Sequence, residues 1–218
     1  MCRFDDTPFT AMPRRTKEEA EQTRRQILEA ARRTFHERGV SATSLEHIAH
    51  AAGVTRGAIY WHFENKGALF KAMREDALLP HMARSDDLLI EDQSMPPLDR
   101  LHRFLTQLVE AWTGCEVLRE VLEIMVFKCE YVGPMSGDLA AHLTKHRGLV
   151  EKLERVHREA QQRGELRAGL PPRAAALETA CFVGGLARLT LLQLHDRHLL
   201  EDLHAMIEVH VDGRRVRP

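Results

Sequence analysis

The 218-residue chain is short of several features, and each shortage removes a class of protein. Its four cysteines, Cys2, Cys115, Cys129 and Cys181, stand far apart with no C-x-x-C pair, which argues against a disulfide scaffold or a thiolate zinc site and fits reduced thiols among helices. No stretch approaches the roughly 20 consecutive apolar residues of a membrane span, and Met1 to Pro13 hold no apolar export segment. The expectation is a cytoplasmic protein without a membrane partner. No G-x-G-x-x-G, P-loop, G-x-S-x-G or H-E-x-x-H occurs, so nucleotide chemistry and hydrolysis lack a signature, and neither an enzyme nor a cofactor is expected. Runs of alternating β-branched residues are missing too, while Leu, Ala, Glu and Arg are plentiful, so the expected class is all-α.

A net charge of −1 conceals an asymmetry. Residues 14–74 carry 12 Lys/Arg against 7 Asp/Glu, whereas the remainder carries 19 against 25. A basic module on an acidic body is the distribution of a phosphate-binding head on a scaffold, although inert surfaces reach the same balance.

Residues 1–13 show no periodicity and read as a disordered leader. A first helix is expected from about Thr16 to Arg38, with Ile27, Ala31 and Phe35 on one face and Gly39 as its stop. Thr43 followed by Glu46 gives a capping-box signal for a two-turn helix carrying Leu45, Ile48, Ala49 and Ala52 and stopping at Gly53. Thr55 can cap a third short helix. In it Ile59 and Phe63 face the other two helices, Gly57 and Trp61 point away, and Tyr60 flanks them. Asn65 can cap a fourth helix from Lys66 to about Leu79, where Pro80 is expected to kink or end it. An acidic, irregular stretch is expected at Ser85 to Pro97, followed by body helices: a Leu101–Trp112 stripe, an apolar Val117–Tyr131 segment, a long Asp138–Arg163 helix, and two apolar helices between about Ala174 and His210. About nine helices result. The domain reading is a leader at 1–13, a head at 14–80 and a body at 81–218.

Two short helices joined by a glycine-containing turn behind a supporting helix make a helix-turn-helix over residues 44–63. Its outward face places Thr55, Arg56, Gly57, Tyr60, Trp61 and His62 together: a hydroxyl, a guanidinium, a gap and two aromatics beside a helix N-terminus. Such a surface needs a partner. Core packing of Tyr60 and Trp61, or mere solvation of His62 and Lys66, are the bland alternatives. Arg24, Arg25, Arg32 and Arg33 on the first helix read as a solvated face.

Phe35, Gly39, Thr43 to Leu45, Ile48, Ala49 and the run Ala51 to Phe63 (AAGVTRGAIYWHF), followed by Asn65 and Lys66, resemble the TetR family of transcriptional repressors. Arg15 to Ala20 and the Lys128–Tyr131 run are similar to the AcrR-type regulators of multidrug efflux. The resemblance implies a TetR-like architecture, a helix-turn-helix head on a ligand-binding and dimerisation body. It implies that Ser44, Thr55, Arg56, Gly57, Tyr60, Trp61, His62 and Lys66 form the DNA-binding set. Thr55, Arg56 and Gly57 would lie near base edges, Tyr60 and His62 at phosphates, and Lys66 would anchor the DNA backbone. Glu64 departs from that picture, since a negative charge there weakens attraction to phosphate.

The same resemblance implies an apolar drug pocket in the body. The candidate lining is Leu122, Val126 and Cys129 on one face, Phe104, Leu108 and Trp112 opposite, and Ala180, Gly184 and Arg188 on a later helix. A packed core explains most of these positions equally well, and Arg188, a charge in an apolar helix, needs a partner. The expected partners are therefore a double-stranded DNA operator, a hydrophobic small-molecule effector and a second copy of the chain, joined as a four-helix bundle. The alternative is a helical small-molecule or metal-binding protein without operator binding. His142 with His146, and the His195–His198 run, have metal-like spacing, but neither has a third ligand in sequence and no metal is expected.

Overall fold

The computed structural model describes residues 17–131, 136–192 and 197–216, so the expected leader at 1–13 lies outside the described residues. These residues form nine α-helices: α1 Lys17–Arg38, α2 Leu45–Ala52, α3 Arg56–His62, α4 Lys66–Asp86, α5 Pro97–Gly114, α6 Glu116–Phe127, α7 Ser136–Gln162, α8 Pro172–Leu192 and α9 Leu199–Asp212. A π-helical turn, Asp87–Glu91, follows α4 directly. Extended pairing among the described residues is limited to one antiparallel bridge, Leu166 with Arg215.

The first four helices pack around Ile27, Phe35, Ile48, Ile59, Leu69 and Phe70, all fully buried, with Phe35 and Phe70 meeting edge to face at 5.7 Å. α1 ends at Gly39 and α2 at Gly53, both at positive φ (+78° and +65°), where a side chain would strain the backbone. The cap of α2 sits one residue later than expected. Ser44, not Thr43, accepts from the His47 N–H, and the His47 ring closes the box on the Ser44 N–H. Thr43 is buried instead, its hydroxyl donating to the Gly39 carbonyl at 2.7 Å.

Pro80 does not end α4, which continues to Asp86; the ring is exposed, and the missing N–H leaves one ladder bond unmade. The stretch expected to be irregular from Ser85 is therefore helical as far as Glu91. Continuing the helix carries Leu89 and Ile90 into the body core, a gain of apolar burial that the isolated proline signal does not reveal.

The body core joins Leu101 and Leu105 of α5, Leu153 and Val156 of α7, Ala176 of α8, and Leu203 and Ile207 of α9. It also encloses an ion pair between Arg100, which is fully buried, and Glu159. α8 has the length and hydropathy of a membrane span, but Arg173, Glu178 and Arg188 interrupt it and Ala175, Ala176, Thr179, Ala180 and Leu186 are buried in the body.

α6 belongs to both halves. Leu118 is buried in the body core, whereas Val121 and Ile124 complete the head core against α1 and α4. The boundary expected after residue 80 thus falls inside α4, and a body helix supplies part of the head's packing.

Candidate nucleic-acid interface

α3 has seven residues, too few to persist alone, and it is held by its ends and one face. Thr55 caps it, accepting from the Ala58 N–H at 3.2 Å; the Phe63 N–H closes the other end on the Ile59 carbonyl at 2.8 Å. Ile59 and Phe63 turn inward as expected. The opposite face is left in water, with Trp61 73% and Tyr60 47% exposed, so the core reading of these two aromatics fails.

That face is organised. Arg56 Nη2 donates to Tyr60 Oη at 3.1 Å, and the guanidinium lies 5.4 Å from the Tyr60 ring centroid. The phenol hydroxyl raises the already high Arg56 pKa, so this exposed guanidinium is a permanent cation held beside Tyr60. Trp61 stands edge-on against the His62 ring at 4.5 Å. At Gly57, an added Cβ would meet nothing nearer than Thr55 Oγ1 at 3.8 Å, so the fold itself does not require glycine there. Ser44 is exposed at the N-terminus of α2, its hydroxyl oxygen engaged as the cap.

Lys66 is placed differently from the expected phosphate anchor. Its ammonium donates to the carbonyls of Val40, Ser41 and Thr43 at 2.8, 3.4 and 2.8 Å, and its partial burial lowers its pKa. Three N–H donors meet three carbonyls, which leaves none for a phosphate. Arg24, assigned to a solvated face, sits instead over the Phe63 ring at 5.4 Å beside the end of α3. An exposed groove of about 310 Å³ lies between α1 and α2, lined by residues including Glu37, Arg38, His47 and His50.

The residues offered as a drug pocket do not form one wall. Phe104, Trp112 and Ala180 are buried in the body core, with Leu108 and Leu122 packed against it. Cys129 lies beyond the end of α6 and packs on the head core with Tyr131, because the helical spacing assumed for it stops at Phe127. Val126 is exposed at the rim of α6. Gly184 and Arg188 lie on the outer face of α8, and Arg188 finds its partner in the Phe127 ring, 5.4 Å away. Contrary to the spacing-based expectation, Val126, Cys129, Gly184 and Arg188 do not face the body interior. Of the histidines with metal-like spacing, His195 and the His142 side chain lie outside the described residues.

A joint between head and body carries charges that periodicity did not single out. Arg32 pairs with Glu120, and His36 Nε2 lies 2.5 Å from Glu123 Oε2. Lys128 Nζ donates to the His36 carbonyl at 2.5 Å, and the Lys128 carbonyl accepts from the Val40 N–H at 2.9 Å. Glu120 and Glu123, two acids one helical turn apart on α6, are the sequence signal that would have found it.

Residues 27–73 match the family described as bacterial regulatory proteins, tetR family. The HTH-type transcriptional regulator TtgR of Pseudomonas putida is 37% identical over 213 residues, covering 95% of this chain and 98% of that one. Among solved structures, NalD, the secondary repressor of the MexAB-OprM multidrug efflux pump in Pseudomonas aeruginosa, aligns with a TM-score of 0.82 at 33% identity, over 91% of this chain and 98% of NalD. A complex of SmeT with triclosan aligns with a TM-score of 0.76 at 30% identity, over 89% of this chain and 92% of that one. SmeT is the repressor of the Stenotrophomonas maltophilia multidrug efflux pump SmeDEF. A helix-turn-helix whose outer face stays in water, together with relatives matched along nearly their whole length, shows that this chain belongs to the tetR family of bacterial regulatory proteins.

Proposed function

We propose that this protein is a homodimeric repressor that binds a palindromic operator and leaves it when a hydrophobic drug-like molecule enters its body, controlling a multidrug efflux operon in the cytoplasm. The observation that carries the reading is the α3 face from Thr55 to His62, exposed, cationic and aromatic at the front of a packed head. Arg56, steered by Tyr60, is suited to bidentate donation to a guanine, and the Thr55 methyl to contact with a thymine. Gly57 lets the helix approach base edges closely. Tyr60, Trp61, His62, Arg24 and the capped N-terminus at Ser44 supply backbone contacts that set register.

The second copy is suggested by the outer faces of α8 and α9, where Leu177, Leu192, Met206 and Val209 are exposed with no cover from their own body. Packing two such faces makes a four-helix bundle and sets two heads for half-sites about 34–36 Å apart. Effector action follows from α6. Val121 and Ile124 sit in the head core while Leu118 sits in the body core, so a molecule that spreads the body helices also moves packing beneath the recognition unit. A coupling of about 1–3 kcal/mol is enough to release the operator five- to a hundredfold.

Fluorescence anisotropy of the full-length protein on the DNA upstream of its own gene, across a salt series and with triclosan as the probe effector, tests the proposal. Tight, steeply salt-dependent binding that triclosan weakens is expected. Triclosan binding without any affinity for that DNA favours the carrier reading instead.

A further inference from the structure

The turn joining α1 to α2 is held by two lysines that reach it from opposite sides of the domain boundary. From the head, Lys66 at the start of α4 donates to the Val40, Ser41 and Thr43 carbonyls. From the body, Lys128 just past α6 donates to the His36 carbonyl and accepts from the Val40 N–H through its own backbone. The His36 carbonyl lies in the last turn of α1, where a helix leaves acceptors without intrahelical partners and carries partial negative charge, and the other three lie in the turn beyond it. Thr43 is the residue immediately before Ser44, the cap of α2, so the same contacts fix where the recognition unit begins.

We infer that Lys66 and Lys128 are positioning residues that clamp the α1–α2 turn, Lys66 through the carbonyls of Val40, Ser41 and Thr43, and Lys128 through the His36 carbonyl in the last turn of α1 and the Val40 amide. The inference rests on the DNA-binding reading above and adds what holds that surface in place. Lys66 spends its donors on the turn: swinging its ammonium to a phosphate gives up the two bonds of 2.8 Å to the Val40 and Thr43 carbonyls, of which only Val40 keeps a second donor, the Thr43 N–H at 3.4 Å. Lys128 is the complementary case. The α6 helix that it caps is anchored in the head by Val121 and Ile124, by Glu120 on Arg32 and by Glu123 on His36, so the clamp is one corner of a contiguous joint.

The test uses full-length Lys66→Met and Lys128→Met proteins, measured by amide hydrogen exchange and by anisotropy on the upstream DNA over a salt series. For Lys66→Met the expected result is a loss of operator affinity of about tenfold or more, an unchanged slope of log affinity against log salt, and amides in 39–45 exchanging about tenfold faster while α8 and α9 keep their protection. For Lys128→Met the same turn amides accelerate and the salt slope again holds. A slope reduced by about 1 in Lys66→Met makes that lysine a phosphate contact and overturns the clamp. Exchange raised evenly through the head, or unchanged in the turn, overturns it as well. If Lys66→Met does not fold, Lys128→Met decides. If wild-type protein ignores the upstream DNA, the repressor reading fails, and the exchange data still judge the clamp.

Discussion

The head and the body each leave a large surface in water, and the two surfaces differ in kind. On α3 the exposed aromatics share their face with a guanidinium, a hydroxyl and a glycine, groups that hydrogen-bond or make room. On α8 and α9 the exposed side chains are aliphatic, Val209 being 75% and Leu192 64% exposed. An aliphatic face gains free energy only by meeting another apolar face, whereas the α3 face can satisfy a hydrated polyanion with donors and stack its rings. Exposure alone does not say what a surface is for; its hydrogen-bonding inventory does.

The strongest attack on this contrast is Val209→Asp. Val209 lies outside the protomer core, so each protomer keeps its fold while a charge enters the apolar face. Sedimentation is expected to show monomers, and operator affinity to fall about 10²–10⁴-fold because the two half-sites are no longer engaged together. A variant that stays dimeric removes the α8/α9 face as the interface.

Below that face the body buries groups that acid can charge. His157 is fully buried, its Nδ1 2.7 Å from the Leu153 carbonyl, and desolvation lowers its pKa from 6.5 to about 4. Its neighbour His210, stacked on Phe182 at 3.8 Å, is pushed down to about 3, again chiefly by burial. In the unfolded chain both titrate near 6.5. The stability from keeping His157 neutral is therefore complete above that value and is lost as pH falls from there through about 4. Between about pH 7 and about pH 5 the loss for His157 alone is about 2 kcal/mol. Urea midpoints at fixed protein concentration should fall accordingly, and His157→Gln should flatten the trend. An equal pH trend in that variant assigns the acid sensitivity elsewhere.

On the head, Arg56→Ala should cost about 1–3 kcal/mol of operator binding and relax preference at one base pair. Equal losses on operator and scrambled DNA would reduce Arg56 to a backbone contact. Tyr60→Phe should produce a smaller version of the same change, since it removes the 3.1 Å hydrogen bond that aims the guanidinium.

The two regions were also unequally legible. Periodicity found the helices because one face of each is apolar, and the head's motif fixed which neighbours those faces meet: Ile59 and Phe63 inward, Trp61 outward. The body has no such motif. Spacing put Leu122 and Val126 on one side of α6 without saying which side the body occupies, and α6 divides itself between two cores. α8 is apolar nearly all round because it serves two surfaces; Ala180 meets its own body while Gly184, one turn on, lies outside. Lys66 shows a different limit of sequence reading. A lysine at a helix start looks like a phosphate ligand until the carbonyls of a turn more than twenty residues away are seen around it.

The smallest expected effect separates the two kinds of surface most cleanly, because it moves stability and binding in opposite directions. Gly57 sits inside α3 without positive φ, and a methyl added there meets only Thr55 Oγ1 at 3.8 Å. Gly57→Ala should therefore stabilise the folded head by about 0.5–1 kcal/mol, through the lower backbone entropy of the unfolded chain and the better helix propensity of alanine. A surface that only faced water would show that gain and nothing else. A surface that presses its backbone against base edges has no room for the methyl, so the same variant should melt at a higher temperature and bind the operator more weakly. Thermal melting and anisotropy on one preparation read both signs, and a variant that gains stability with undiminished affinity would show that α3 meets DNA through its flanks rather than through the gap at Gly57.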